Sequence, residues 1–355
     1  MKKNTINRRD FVRTTLAGTV ALAAGMYPFS NQAIVSVVRI KDGNIKHAVK
    51  EALNLIGGSK KLFQDKNRVM LKPNLVAPFS KCTTKPEIIK ALAEILKTGG
   101  KNVCIGEGSA AAPGFNFKDN IQYRTKKAEI LNPMQQYVFD QLGYTELAKE
   151  LEVPLINLHT GELVEVDVPN GLVYDKITVH KSVADTDLLV SVPMMKTHVL
   201  ATVTLGMKNL IGVYPGSVYY SARAYLHDRA AERGSPGIAY EIIDMVRASK
   251  MGLTVIDASS AMEGNGPTDG DLVDMNLIIA GTNPFATDLV GASIMGFDIQ
   301  EIPTFEWAIK SGFKPISLDE IEVRGEEIND VRYNFKRPEV VPWHAINKFW
   351  GAEEL

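Results

Sequence analysis

Cysteine is nearly absent: Cys82 and Cys104 are the two thiols in 355 residues. Two thiols cannot furnish a four-thiolate zinc or iron–sulfur site, nor a disulfide scaffold. Net charge is small as well, at −1, and it conceals a split. Residues 1–33 hold five basic side chains against Asp10, a net +4, which leaves −5 for the remainder. No basic face is implied, and that argues against nucleic acid as a partner. A long apolar run is also missing. The stretch from Leu16 to about Met26 falls short of the roughly 20 residues a spanning helix needs, so no stable membrane span is expected. Aromatics reach only 8%, but 45% hydrophobic and 23% charged residues are ordinary globular proportions. Disordered, collagen-like and multi-span membrane chains are thereby excluded, and the length suits about two domains or one large α/β unit.

Asn7-Arg8-Arg9-Asp10-Phe11-Val12 sets paired arginines ahead of a hydrophobic pair and the short apolar stretch. The pattern over residues 1–33 resembles a twin-arginine export signal. It implies passage through the twin-arginine translocon and a periplasmic or extracellular destination. Such export usually carries folded proteins, often with a cofactor already inserted.

Residues 34–330 read as one α/β domain, with two lobes around a cleft as one arrangement, and residues 331–355 as a C-terminal tail. Residues 34–40 are a β-branched apolar run and predict a strand. Ile45, Ala48, Val49, Ala52, Leu53 and Ile56 recur at helical spacing until Gly57-Gly58. Residues 69–71 predict a second strand that ends in Lys72-Pro73-Asn74. Thr84-Lys85-Pro86-Glu87 has the form of a capping box for a helix closing at Gly99-Gly100. Residues 103–105 give a third strand. This alternation predicts right-handed crossovers and mostly parallel sheets flanked by helices. Residues 107–133 lack periodicity and predict a long loop. Residues 162–168 and 172–180 alternate as an antiparallel hairpin about Pro169-Asn170-Gly171. Strands are expected again at 188–192, 253–256 and 277–280, with helices at 238–248 and 285–295.

Ligands of open α/β sheets bind beyond the carboxyl ends of the strands. Polar residues crowd four such expected ends: Lys72-Pro73-Asn74, Gly106-Glu107-Gly108-Ser109, Pro193 to His198, and Asp257-Ala258-Ser259. Gly106-x-Gly108-x-x-Ala111 imitates a dinucleotide fingerprint, but no helix or acidic strand end follows where one belongs. The densest stretch runs from Lys196-Thr197-His198 through Lys208-Asn209 and Gly212 to His227. Lysines hold anions or form covalent links when desolvated, and histidines ligate metals or move protons near neutral pH. Asp269, Asp271 and Asp274 could bind a hard cation or form a solvated turn. Asp288 could cap or point into the crevice.

Lys72-Pro73-Asn74, Thr84-x-Pro86, Glu107-Gly108, Pro193-x-x-Lys196-Thr197-His198, Lys208-Asn209-Leu210-x-Gly212, Met262-x-Gly264-x-Gly266-Pro267 and Asp288 stand in sequence order. Together they resemble the domain-of-unknown-function 362 family across residues 34–300. Many relatives carry an appended cysteine-rich ferredoxin module. This chain has no Cys-x-x-Cys run, so no iron–sulfur cluster is expected. More distantly, His198, Lys208 ten positions later, Pro215-Gly216 and His227 are similar to the nickel-pincer lactate racemase group. That resemblance implies a nickel-pincer nucleotide anchored by Lys208, nickel ligated by His227, and His198 as the acid–base.

The expectation is a metal- or nucleotide-cofactor-dependent enzyme acting on a small anionic substrate. His198 and Lys196 are the candidate catalytic residues. Lys208, Lys72, Asn74, Glu107, Asn209 and Gly212 are the candidate cofactor-binding residues, and His227 and Asp257 the candidate metal ligands. The alternative is a non-catalytic periplasmic protein that binds or delivers a ligand or metal.

Overall fold

The structure, a computed structural model, describes residues 32–118, 121–235, 237–341 and 350–354. Nearly all of the export signal read over residues 1–33 lies outside the described residues, as do residues 342–349 of the tail. In chain order the first elements are β1 (Ala33–Arg39), α1 (Ile45–Leu55), β2 (Arg68–Pro73), α2 (Pro86–Thr98) and β3 (Asn102–Glu107). Then come β4 (Phe117–Lys118), β5 (Ile121–Arg124), α3 (Ala128–Gln141), α4 (Tyr144–Leu151), β6 (Leu155–Asn157), β7 (Leu163–Asp167) and β8 (Lys176–His180). The middle holds β9 (Leu188–Val192), β10 (Met194–His198), β11 (Thr202–Thr204), the single turn α5 (Gly206–Asn209), α6 (Ala224–Glu232) and α7 (Ala239–Ala248). The chain closes with β12 (Met251–Glu263), β13 (Asp271–Val273), β14 (Leu277–Gly281), α8 (Pro284–Ile294), β15 (Ile321–Gly325) and β16 (Trp350–Glu354).

One eleven-stranded sheet organises the chain in the order β15-β1-β14-β12-β9-β2-β3-β6. The run from β12 to β6 is parallel throughout, and β15 is parallel to β1. The exception is β14, antiparallel to both of its neighbours. Strand residues alternate between two cores, as a sheet covered on both faces requires. Val37, Met70, Leu189, Ile256 and Ile279 enter one core. Val38, Leu71, Val190, Val255 and Ile278 enter the other. The first core is closed by α7 and α8 through Ile242, Leu289 and Val290. The second is closed by α1 to α4 through Val49, Leu92, Leu131 and Leu147. Among the described residues no helix is long and apolar enough to cross a membrane.

Several local expectations are revised by long-range contacts. Thr84 does not cap α2, whose first turn starts at Pro86 without a side-chain cap. Its hydroxyl donates instead to Val192 O (2.6 Å) and accepts from Asn74 N (2.8 Å), tying β2 to β9. The loop expected over 107–133 contains β4, β5 and the start of α3, which keeps Pro133 inside it. The 162–180 hairpin forms, but pairing stops at Asp167 and Lys176, so its loop is wider than a tight turn. Asp244 organises that loop by accepting from the amides of Leu172, Val173 and Tyr174 at 2.6–3.0 Å. Two of the expected strand ends are not ends at all. Residues 194–198 form β10, and Asp257 lies inside the thirteen-residue β12.

Candidate functional site

Parallel pairing of β2 with β3 sets Lys72 and Glu107 at adjacent strand ends. Both are buried, and Lys72 Nζ donates to the two carboxylate oxygens at 2.9 and 3.0 Å. Glu107 also accepts from Gly108 N (2.7 Å) and Leu75 N (2.9 Å). Asn209 completes the clamp: its Oδ1 accepts from Lys72 Nζ and Asn74 Nδ2, both at 3.2 Å. Its amide nitrogen donates to Lys72 O and Ser191 Oγ, both at 3.1 Å. Lys72, Asn74, Glu107 and Asn209, expected as cofactor contacts, thus spend these polar atoms on one another and fasten α5 to the strand ends. Burial pushes the Lys72 pKa below its ordinary value, with Glu107 opposing and Arg223 adding to the fall.

Gly212 serves the same clamp. A Cβ there would collide with the Glu107 carboxylate and the Lys72 ammonium, so glycine is needed for the close approach of these protein groups. Gly212→Ala is expected to lower stability by about 3 kcal/mol, through overpacking and disruption of a buried ion pair. Urea denaturation of the variant would measure it, and a loss below about 1 kcal/mol would show that the clamp yields easily.

Antiparallel pairing of β10 with β11 sets Lys196 opposite Thr204 and His198 opposite Thr202. Residues two apart on a strand share a face, so these four side chains form one stripe. Lys196 is fully buried, and its Nζ donates to Cys82 O (2.6 Å) and Pro267 O (3.3 Å). Burial pushes its pKa down to about 8. Lys208 stands on α5, whose first amides, Gly206 N and Met207 N, donate to the Asp288 carboxylate at 2.7 and 2.8 Å. It keeps partial access to solvent. Desolvation and then the charges of Lys196, Arg223 and Lys72 bring its pKa to about 7. Among the described residues the ion pair at this site is Lys72–Glu107; neither Lys196 nor Lys208 faces a carboxylate partner.

His198 is 7% exposed, and its Nδ1 accepts from Leu200 N at 3.0 Å. Burial, then Lys208, Lys196 and His227, hold its pKa well below the usual histidine value. A neutral ring that accepts at Nδ1 carries its proton on Nε2, so His198 has a hydrogen-bond donor left there. It can donate a hydrogen bond to a bound oxygen and so polarise it. His227 lies in α6, buried, and burial together with Lys208 pushes its pKa down to about 3. It is the neutral form that ligates metals. The charge of Lys208 bears on both His198 and His227, and that of Lys196 on His198 and Lys208.

The turn leading to His227 is strained. Tyr220, Ala222 and Arg223 take φ of 63, 53 and 59° without being glycine. Such conformations persist only where surroundings impose them. Arg223, buried, supplies the restraint: Nε donates to Tyr214 O (2.9 Å), Nη1 to Ser109 O (3.1 Å) and Nη2 to Gly212 O (2.8 Å). Neither Arg223 nor this turn carries a local sequence signal, and sequence reasoning missed both. Gly108 is explained by the same side chain, since a Cβ there would strike its guanidinium. Of the dinucleotide-like glycines, Gly108 therefore makes room for an arginine and Gly106 for the Met70 side chain, and the next helix begins only at Ala128.

Asp257 does not join His227. Its oxygens accept from Ser259 N (3.1 Å), Ser259 Oγ (2.5 Å) and Lys85 N (2.9 Å), which fixes the start of α2. Among the described residues no three His, Cys, Asp or Glu side chains gather as a metal site. In the acidic turn, Asp271 is paired with Lys336 at 2.8 Å. His159 is fully buried with Nδ1 accepting from Gly216 N (3.2 Å), and it belongs to the scaffold.

The family model described as Domain of unknown function (DUF362) matches residues 69–293. A thylakoid-associated protein of Synechocystis is 25% identical over 302 residues, covering 84% of this chain and 85% of that protein. The lactate racemase apoprotein from Thermoanaerobacterium thermosaccharolyticum superposes with a TM-score of 0.44 at 16% identity, covering 74% of this chain and 57% of its own. A protein from Thermotoga maritima gives a TM-score of 0.39 at 16% identity, with 76% and 59% covered. The chain thus spans less than two thirds of either solved structure.

Proposed function

The chain belongs to the domain-of-unknown-function family DUF362, and from that premise we propose that it is an exported enzyme acting on a small anionic ligand. The ligand sits among Lys196, His198, Lys208 and His227. One observation carries this reading: among the described residues buried Lys196 and half-buried Lys208 have no carboxylate in an ion pair, and the charge of Lys196 lowers the Lys208 pKa. Gathering like charges in a desolvated volume is costly unless an anion neutralises them. Lys208, with a pKa near 7, is also an amine with a substantial neutral fraction at neutral pH, suited to covalent attachment. His198 would donate a hydrogen bond from Nε2 to a ligand oxygen.

A nickel-pincer nucleotide fits this donor set. The partly neutral Lys208 amine suits an anchor, and the neutral His227 imidazole suits a metal ligand. When bound, the group would supply a metal centre beside the substrate. Elemental analysis and intact mass of protein from its own host test that occupant. Nickel with an adduct on Lys208 supports it, and unmodified, metal-free protein removes it while leaving the anion site standing.

The anion site itself is tested by calorimetric titration of the purified chain with acetate, malonate and inorganic phosphate. Binding of at least one is expected, strongest below about pH 7. Above the Lys208 pKa of about 7 the affinity should fall by up to about tenfold per pH unit, as the ammonium is lost. Absence of saturable binding by all three at low pH would overturn the proposal. Binding with no turnover of any related substrate would instead favour a protein that captures or delivers the ligand.

A further inference from the structure

We propose that Lys196 and Thr204 form a second anion subsite beside Lys208, so that the ligand of this pocket is a dianion. The inference rests on the anion site above and extends it to the ligand's charge. Thr204 is 2% exposed, and among the described residues its Oγ1 has no hydrogen-bond partner. Its placement is fixed by register: Thr204 lies directly opposite Lys196 on the shared face of β10 and β11, in line with His198. Opposed residues of an antiparallel pair bring their Cβ atoms to roughly 5 Å, within reach of one bound oxygen-bearing group. Lys196 has three N–H groups, and Cys82 O and Pro267 O take two of them. The third N–H and the Thr204 hydroxyl are donors left over on one stripe.

A buried hydroxyl without a partner is a liability that valine, of the same shape, would remove. Threonine at this position is therefore explained by a ligand acceptor rather than by packing. The charges agree with the geometry. Lys72 is ion-paired with Glu107, whereas Lys196 and Lys208 have no ion pair among the described residues; the charges of Lys196 and Lys72 lower the Lys208 pKa, and that of Lys72 lowers the Lys196 pKa. A monoanion would leave one of the two uncompensated in a desolvated volume. A dicarboxylate or a phosphate dianion would match both, with one charged end on Lys208 and the other between Lys196 and Thr204.

The test is titration of the full chain at about pH 7 with malonate, inorganic phosphate and acetate, for the wild type, Thr204→Val and Thr204→Ser. Malonate or phosphate should bind the wild type about tenfold more tightly than acetate does. Thr204→Val should lose about tenfold on that dianion, the worth of one hydrogen bond to a charged group, and nothing on acetate. Thr204→Ser should retain the affinity, and Thr204→Val without ligand should melt no lower than the wild type. Equal dianion binding by wild type and Thr204→Val overturns the second subsite and leaves the anion site intact, as does acetate binding as tightly as both dianions. A wild type that binds none of the three overturns both proposals together.

Discussion

Lys208→Met is expected to make the protein more stable and to abolish anion binding. The ammonium is held in a partly desolvated volume among Lys196, Arg223 and Lys72, and its pKa falls from an ordinary 10.5 to about 7. Between those values the unfolded chain binds a proton that the folded chain has released. Stability contributed through this group therefore rises as pH climbs from about 7 towards 10.5 and is lowest below 7. Methionine removes the penalty at a similar volume. The gain near pH 6 should be about 2 kcal/mol, after discounting for the solvent access Lys208 retains. Urea denaturation at about pH 6 and pH 9 reads both predictions. The wild type should gain stability between the two, and Lys208→Met should gain less, the remaining slope coming from Lys196, whose pKa is about 8. A variant less stable than the wild type at both pH values would mean that Lys208 is a packing residue.

Glu107→Gln is expected to have the opposite and larger effect. The carboxylate accepts from Lys72 Nζ, Gly108 N and Leu75 N. Glutamine keeps the shape but removes the charge, and its NH2 group faces donors on one side. Lys72, itself fully buried, would be left uncompensated. Breaking one partner of a buried pair costs about 3–5 kcal/mol, whereas removing both is often nearly neutral. The double variant Lys72→Met/Glu107→Gln should therefore recover a large part of the loss. Chemical denaturation of the two single variants and the double gives the coupling directly. Additive losses would show that the pair does not act as a unit.

Elements governed by a run of apolar side chains were legible from the sequence. β9 spans 188–192 as its apolar run predicts, α1 follows its helical periodicity, and α8 falls within one residue of the helix expected over 285–295. What stayed hidden was structure stabilised from far away. β10 contains Lys196, Thr197 and His198, and polar residues of that kind do not read as a buried strand. They are buried because Cys82 O lies 114 residues distant and Pro267 O 71 residues distant, and both accept from Lys196. β12 continues past its apolar start through Asp257, Ser259 and Ser260 because β10, β13 and β14 pair with it. The clamp shows the same limit. Lys72, Glu107 and Asn209 were recognised as unusual, but their engagement with each other spans 35 and 137 residues and leaves no trace in local spacing. Asp288 was recognisable as a carboxylate at the start of a helix. That it serves the amides of α5 rather than its own helix follows only from the packing of α8 against α5.

That last arrangement makes α8 a mechanical support for the pocket. The turn bearing Lys208 hangs from Asp288 by two hydrogen bonds, and α8 in turn packs on the sheet and meets a further helix, Pro303–Lys310, through Phe285 and Phe305, whose rings meet edge to face at 5.5 Å. A shift of α8 would drag the amine with it. Anything that presses on the helix Pro303–Lys310, whether an altered residue or a neighbouring molecule, thus has a handle on the reach of Lys208 without entering the site.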